Sequence, residues 1–190
     1  VLAATSEGFY KSIDAGQSWQ QKHSVLMTTD IEYKPGDTSV IYIASGNSGS
    51  PGSGIYKSTD GGENFTKLSN GLPSSYTGKT LLHIPPGAAN TIFASVADQF
   101  QQIGLFRSQD EGLSWTNINS DDISLYQGWF SHDIAVMPNN PSHMVWAGVD
   151  VYNSTDNGTN FSRKSYWYNW DFSATPIGGP EGPSDYVHAD

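Results

Sequence analysis

The sequence predicts an all-β chain made of repeated four-stranded antiparallel sheets. Three observations carry that expectation. One short turn motif recurs four times in register. Short apolar strands lie between these copies at matching offsets. The composition, with 20 Gly, 10 Pro and 13% aromatic residues, suits a fold rich in turns and poor in helix.

The four motif copies read Ser12-Ile-Asp14-Ala-Gly16-Gln-Ser18-Trp19, Ser58-Thr-Asp60-Gly-Gly62-Glu-Asn64-Phe65, Ser108-Gln-Asp110-Glu-Gly112-Leu-Ser114-Trp115 and Ser154-Thr-Asp156-Asn-Gly158-Thr-Asn160-Phe161. The aspartates are spaced by 46, 50 and 46 residues (14 to 60, 60 to 110, 110 to 156). A period of that size marks a stacked or radial repeat. An aspartate in a tight turn accepts hydrogen bonds from backbone N–H groups just beyond it. The glycine two residues on takes positive φ without a Cβ clash. The closing Trp or Phe starts the next strand and buries a large apolar area.

The pattern S-x-D-x-G-x-[SN]-[WF] resembles the Asp-box, or BNR repeat, of sialidases, sortilin-type receptors and xyloglucanase-type glycoside hydrolases. The resemblance implies a β-propeller whose motif turns sit on the outer rim, remote from any ligand. It therefore speaks for architecture and leaves function to other residues. Three stretches, Gly128-Trp-Phe-Ser-His-Asp-Ile-Ala-Val-Met-Pro138, Tyr152-Asn-Ser-Thr-Asp-Asn-Gly158 and Tyr186-Val-His-Ala-Asp190, are similar to secreted, sortilin-like propellers of bacterial surface proteins.

Each full repeat supplies strands A to D, with A innermost. The first repeat is partial (1–22) and holds B at 1–4, C at 8–12 and D at 18–22. The second (29–68) has strands at 29–34, 40–45, 54–58 and 64–68. The third (80–118) has them at 80–84, 91–96, 104–108 and 114–118. The fourth (131–164) has them at 131–137, 143–149, 150–154 and 160–164. Residues 166–190 form a link and the first strand of a next blade. The expected whole is a propeller segment with three complete and two partial blades, an open arc of a larger ring. Its cut edges would be covered by further chain or by a partner, because bare strand edges invite aggregation.

Loop lengths point to one face. Pro35, Pro85 and Pro138 each precede an apolar-Ala pair by eight residues (35 to 43, 85 to 93, 138 to 146), which predicts an A–B turn of constant length. From that Ala to the motif Ser the distance is 14 residues twice and then 7 (44 to 58, 94 to 108, 147 to 154). The variation falls in B–C loops and D–A links, which share one face of an antiparallel blade. Insertions confined to one face of a repeat protein mark its binding face.

Candidate ligand residues follow from that face. Inner strands begin there at Thr29-Asp30, Lys79-Thr80, His132-Asp133 and His188-Ala189-Asp190. Trp129, Phe130, Trp167, Tyr168 and Trp170 lie on D–A links, where exposed rings suit stacking on sugars. The candidate ligand-binding set is Trp129, His132, Asp133, Trp167, Trp170, His188 and Asp190. The blander alternatives are channel-lining polar groups and aromatic packing between blades. The His132-Asp133 and His188-x-Asp190 pairs raise a divalent cation at the mouth as a weak option. No confident metal or cofactor set emerges.

Net charge is −10, from 9 basic and 19 acidic residues, which disfavours nucleic acid and anionic membranes as partners. No segment has the length of a membrane-spanning helix. No cysteine is present, so no disulfide frame exists. Val1 opens inside a strand, which predicts a piece of a longer chain. A sialidase needs three arginines for its substrate's carboxylate, and this chain has Arg107 and Arg163 alone, both beside motif turns.

Two functions remain. The first is a secreted or cell-surface module that binds carbohydrate or protein through the variable-loop face. The second is a xyloglucanase-type glycoside hydrolase acting on a β-glucan, with Asp30 and Asp133 as candidate catalytic carboxylates. A glycosidase needs a second acid across the scissile bond, and the opposite half of the ring would have to supply it.

Overall fold

The computed structural model describes residues 1–165. It contains fifteen strands among those residues, in four antiparallel sheets. The first sheet has three strands: β1 (Leu2–Thr5), β2 (Gly8–Lys11) and β3 (Gln20–His23). The second has β4 (Thr28–Lys34), β5 (Asp37–Ser45), β6 (Gly54–Ser58) and β7 (Thr66–Leu68). The third has β8 (Thr80–His83), β9 (Ile92–Asp98), β10 (Gln101–Ser108) and β11 (Thr116–Asn119). The fourth has β12 (Asp133–Val136), β13 (Met144–Ala147), β14 (Val151–Ser154) and β15 (Ser162–Arg163). Every sheet is ordered as in the sequence, and the described sheets form an open arc.

The core lies between sheets. In β5, Ile41 and Ile43 pack with Phe9 of the first sheet, while Val40, Tyr42 and Ala44 pack with Leu82, Ile92 and Ala94 of the third. Burial on both faces explains why this strand is a continuous apolar run. Between the third and fourth sheets Phe93, Leu105 and Ile123 meet Ile134, Val136, Met144 and Trp146. Inner strand β4 lies beside β8, and β8 beside β12.

The motif turns join the last two strands of each sheet, as expected. Asp14 Oδ1 accepts the Ser12 hydroxyl (2.8 Å) and the Ser18 N–H (2.9 Å). The Gly16 N–H closes onto Ser12 Oγ at 2.8 Å. Asp60, Asp110 and Asp156 repeat these bonds with Asn64, Ser114 and Asn160. The motif glycines have φ between 81° and 90°, and the residues before them, Ala15, Gly61, Glu111 and Asn157, are also left-handed.

Phe65 sits edge-on to Phe9 of the preceding sheet, with ring centroids 5.0 Å apart. Trp115 is buried against the second sheet. Phe161 packs at 5.2 Å from Trp146 within its own sheet and against the third-to-fourth core. Trp19 departs from the expected burial and is 42% exposed. Among the described residues no sheet lies on its side of the arc.

Hydrogen bonding to the carboxylates has a consequence for pH. The Ser18 and Ser114 hydroxyls pull Asp14 and Asp110 down to about 2, and the Asn160 N–H does the same to Asp156. The Asn64 side-chain amide pulls Asp60 below the usual range as well. A carboxylate whose folded pKa is depressed adds stability above its unfolded pKa of about 4. That contribution is lost as pH falls through the folded value. Thermal melts from pH 4 to pH 2 should therefore show a steep fall in Tm. An Asp110→Asn variant should lose part of that slope. An unchanged slope would show that the turn carboxylates are not its source.

One register differs from expectation. Tyr33 pairs with Ile41 and Val136 with Met144, each pair enclosing seven residues (34–40, 137–143). His83 pairs with Phe93 and encloses nine (84–92). The hairpin is no longer for that, because Asp30–Ala44, Leu81–Ser95 and Asp133–Ala147 all lie 14 positions apart. Pro85 and the Phe93-Ala94 pair each sit one residue earlier along the hairpin than their counterparts. Ala44, Ser95 and Ala147 are spatial equivalents, paired with Asp30, Leu81 and Asp133. Side chains alternate between faces, so the shift points Phe93 toward the fourth sheet, whereas Ile43 and Trp146 point back toward the preceding one.

Candidate functional site

The two faces of the arc differ in construction. On the variable face the expected B–C loop of the third sheet proves to be an extended hairpin. Strands β9 and β10 continue to the pair Asp98–Gln101, leaving Gln99-Phe100 as the turn. The irregularity between Gln102 and Gly104 lets that extension bend. Phe100 stands at its tip, 59% exposed.

The link from the third to the fourth sheet leans on this tip. Tyr126 N–H donates to the Phe100 carbonyl (3.0 Å), and Trp129 N–H donates to the Gln99 carbonyl (3.1 Å). Lys79 N–H donates to the Gly128 carbonyl at 3.1 Å. From the second sheet's B–C loop, Asn47 Nδ2 donates to the Trp129 carbonyl at 2.7 Å. The preceding link joins in, because Thr77 N–H and Oγ1 both bond to Asp98 Oδ1.

The result is a row of aromatic rings held by backbone. Tyr126 is 79% exposed, Trp129 43% and Phe130 49%, and the Trp129 and Phe130 rings lie 5.2 Å apart. Leu125 and Tyr126 both have positive φ, at 40° and 74°. Such strain persists only where surrounding bonds over-determine it. Here Asp122 Oδ1 accepts Leu125 N–H, and Phe100 accepts Tyr126 N–H. Trp129 and Phe130 were legible as exposed rings on a link. Tyr126 gave no signal in the sequence, whereas Phe100 lies in a polar B–C insertion (98–102) that the sequence offers as a ligand contact or a solvated loop. The signal for Phe100 was a lone apolar residue within Asp98-Gln-Phe-Gln-Gln102.

The inner strands carry a second polar group. Asp30 Oδ1 accepts Ile31 N–H (2.8 Å) and Oδ2 accepts Leu82 N–H (2.7 Å) from the next sheet. Thr29 Oγ1 donates to the Thr80 carbonyl at 2.8 Å. Adjacent inner strands share no ladder, so these side chains satisfy the free edge of β8. Burial raises the Asp30 pKa, against those two N–H groups. Glu32 is pushed up to about 7, first by burial and then by the Asp30 charge. Burial lowers both Lys79 and His83, while Asp133 and Asp30 hold Lys79 up in part. Asp133 is exposed at the matching place in the fourth sheet, and its Oδ1 accepts Ile134 N–H at 2.7 Å.

His132 does not face the mouth as the sequence suggested. It is 2% exposed, with Nδ1 2.8 Å from Ser95 Oγ. Burial takes its pKa down to about 3, so the ring is neutral. Trp167, Trp170, His188 and Asp190 lie outside the described residues, as does Tyr168. Among the described residues no group of three His, Asp or Glu is placed to hold a metal ion. Arg163 is engaged with the buried Asp150 carboxylate. No described helix is long and apolar enough to cross a membrane.

Comparisons with known proteins bear on this geometry. No protein-family model matches the chain. Over 116 residues it is 32% identical to a xyloglucanase from Paenibacillus sp, a match covering 59% of this chain and 11% of that protein. In three dimensions it resembles an ancestral GH74 enzyme at TM-score 0.65 and 21% identity, covering 86% of this chain and 22% of that one. It also resembles the GH74 xyloglucanase from Xanthomonas campestris at TM-score 0.67 and 16% identity, covering 85% and 28%. The chain therefore spans about a tenth of the curated relative and roughly a quarter of each solved structure. It has the fold of a xyloglucanase-like β-propeller segment, and its described residues form an open arc.

Proposed function

We propose that this chain is part of an extracellular propeller that binds a β-glucan across its variable-loop face. The carrying observation is the row formed by Phe100, Tyr126, Trp129 and Phe130, exposed on one face over hydrogen-bonded backbone. Flat aromatic faces stack on the C–H faces of pyranose rings, and a rigid platform loses little entropy on binding. The similarity to a xyloglucanase supports a polysaccharide as the ligand class. Open sheet faces at Trp19 and at Met137 and Val145 are covered, in this reading, by the rest of a ring or a partner chain. A monodisperse monomer in size-exclusion chromatography counts against that covering.

Titration calorimetry with soluble xyloglucan and mixed-linkage β-glucan tests the binding. Trp129→Ala should raise Kd at least tenfold, about 1.4 kcal/mol. Its ring is already 43% exposed, so the fold should survive. Wild-type affinity in that variant, or no binding of any β-glucan by the unmodified chain, sinks the proposal.

A second reading, hydrolysis, is favoured by the xyloglucanase similarity and by Glu32, whose raised pKa keeps a proton available near neutral pH. Asp30 is a poor catalyst because both its oxygens are committed to backbone N–H groups. Asp133, with one oxygen so committed, is the better candidate. Release of reducing sugar that disappears in Asp133→Asn would favour hydrolysis over binding alone.

A further inference from the structure

Ser95 is a fully buried serine at a position where the second and fourth sheets place Ala44 and Ala147. The Phe93-Ala94 pair sits one residue earlier along its strand than its counterparts, which brings Ser95 there. Its Oγ accepts Trp146 Nε1–H at 2.8 Å and Gln102 Nε2–H at 2.9 Å. Those donors fill both lone pairs of the hydroxyl. The remaining hydroxyl hydrogen points at His132 Nδ1, 2.8 Å away. His132 is therefore the neutral tautomer with its proton on Nε2.

The three partners come from three different segments. Gln102 belongs to the hairpin that carries Phe100, and its backbone N–H also donates to Asp122 Oδ1 at 2.8 Å. His132 ends the link that carries Tyr126, Trp129 and Phe130. Trp146 belongs to β13 of the fourth sheet and is fully buried.

We infer that Ser95 is a positioning residue: its hydroxyl locks the Phe100 hairpin, the aromatic link and the fourth sheet into one register. Ligand affinity then depends on a side chain that touches no ligand. This inference rests on the aromatic row being the binding surface. Buried hydrogen bonds of this kind are strong in a low-dielectric interior and hold their members in one arrangement, although His132 Nε2 and Gln102 Oε1 have no partner in this network.

Hydrogen exchange on the 190-residue chain, read together with β-glucan affinity, tests it. Ser95→Ala fits sterically, since alanine occupies the equivalent places. It should speed exchange at the Tyr126 and Trp129 amides at least tenfold and raise Kd at least fivefold. The Asn64 amide, in a remote motif turn, should be unaffected. His132→Phe should behave as Ser95→Ala does. His132→Asn should restore wild-type values, because its amide oxygen stands where Nδ1 stood. Trp129→Ala should lose binding while the Tyr126 amide exchanges as in the wild type, which separates the lock from the surface. Wild-type exchange in Ser95→Ala overturns the lock. Faster exchange with unchanged affinity overturns its role in binding. If the wild type binds no β-glucan, the function fails and the exchange rates alone decide the lock.

Discussion

Trp146→Ala should lower the unfolding free energy by about 3–5 kcal/mol, the usual cost of truncating a fully buried tryptophan. The indole is completely enclosed among Phe93, Leu105, Ile134, Val136 and Met144, which join the third and fourth sheets. Phe161 packs against it at 5.2 Å. Alanine leaves a cavity and strips one donor from Ser95. Against a typical domain stability of about 5–15 kcal/mol the loss is large. Urea denaturation provides the measurement. Trp146→Phe leaves a smaller cavity, because it keeps a six-membered ring while losing the fused five-membered part and its N–H. That variant should cost about 1–3 kcal/mol, the range for leaving a buried polar group unpaired. A change below 1 kcal/mol in Trp146→Ala would mean that this cluster does not hold the two sheets together.

Gly128→Ala should damage binding and stability together. A Cβ at this position would lie 1.9 Å from the Asp98 carbonyl oxygen and 2.9 Å from Ala97 Cβ. The hairpin backbone cannot yield without losing its own ladder. The link must therefore lift away, breaking the bonds from Tyr126 and Trp129 to Phe100 and Gln99. Overpacking of this kind costs about 1–3 kcal/mol. Affinity for β-glucan should fall at least tenfold, because the row loses its alignment. The cause is close approach and not backbone dihedral, since Gly128 is not among the positive-φ glycines. Retained affinity in Gly128→Ala would show that the link and hairpin need not be in contact for binding.

The motif turns were legible because their physics is local. Asp14 and its three counterparts bond within four residues of themselves, and the glycines take the expected left-handed backbone. The variable face was legible from loop lengths, since strands of fixed length leave insertions nowhere else to go. Trp129 and Phe130 followed from that face. Asp30 is less free than its place at a strand start implies, because its carboxylate accepts an N–H from the free edge of the neighbouring sheet. His132 was misjudged for a related reason, because its partner Ser95 lies 37 residues away.

What the sequence determined alone was the repeat: which residues turn, which alternate or run apolar, and which face collects the long loops. Tertiary structure decided which polar side chains remain free for a ligand. A one-residue displacement along both strands of one hairpin, hidden beneath matching Pro and Ala spacings, reversed the facing of Phe93 and Ser95. Side chains alternate strictly along a strand, so a slip of one residue changes every neighbour across the gap between sheets. That gap is closed by residues distant in the chain, and no local pattern records which of them meet.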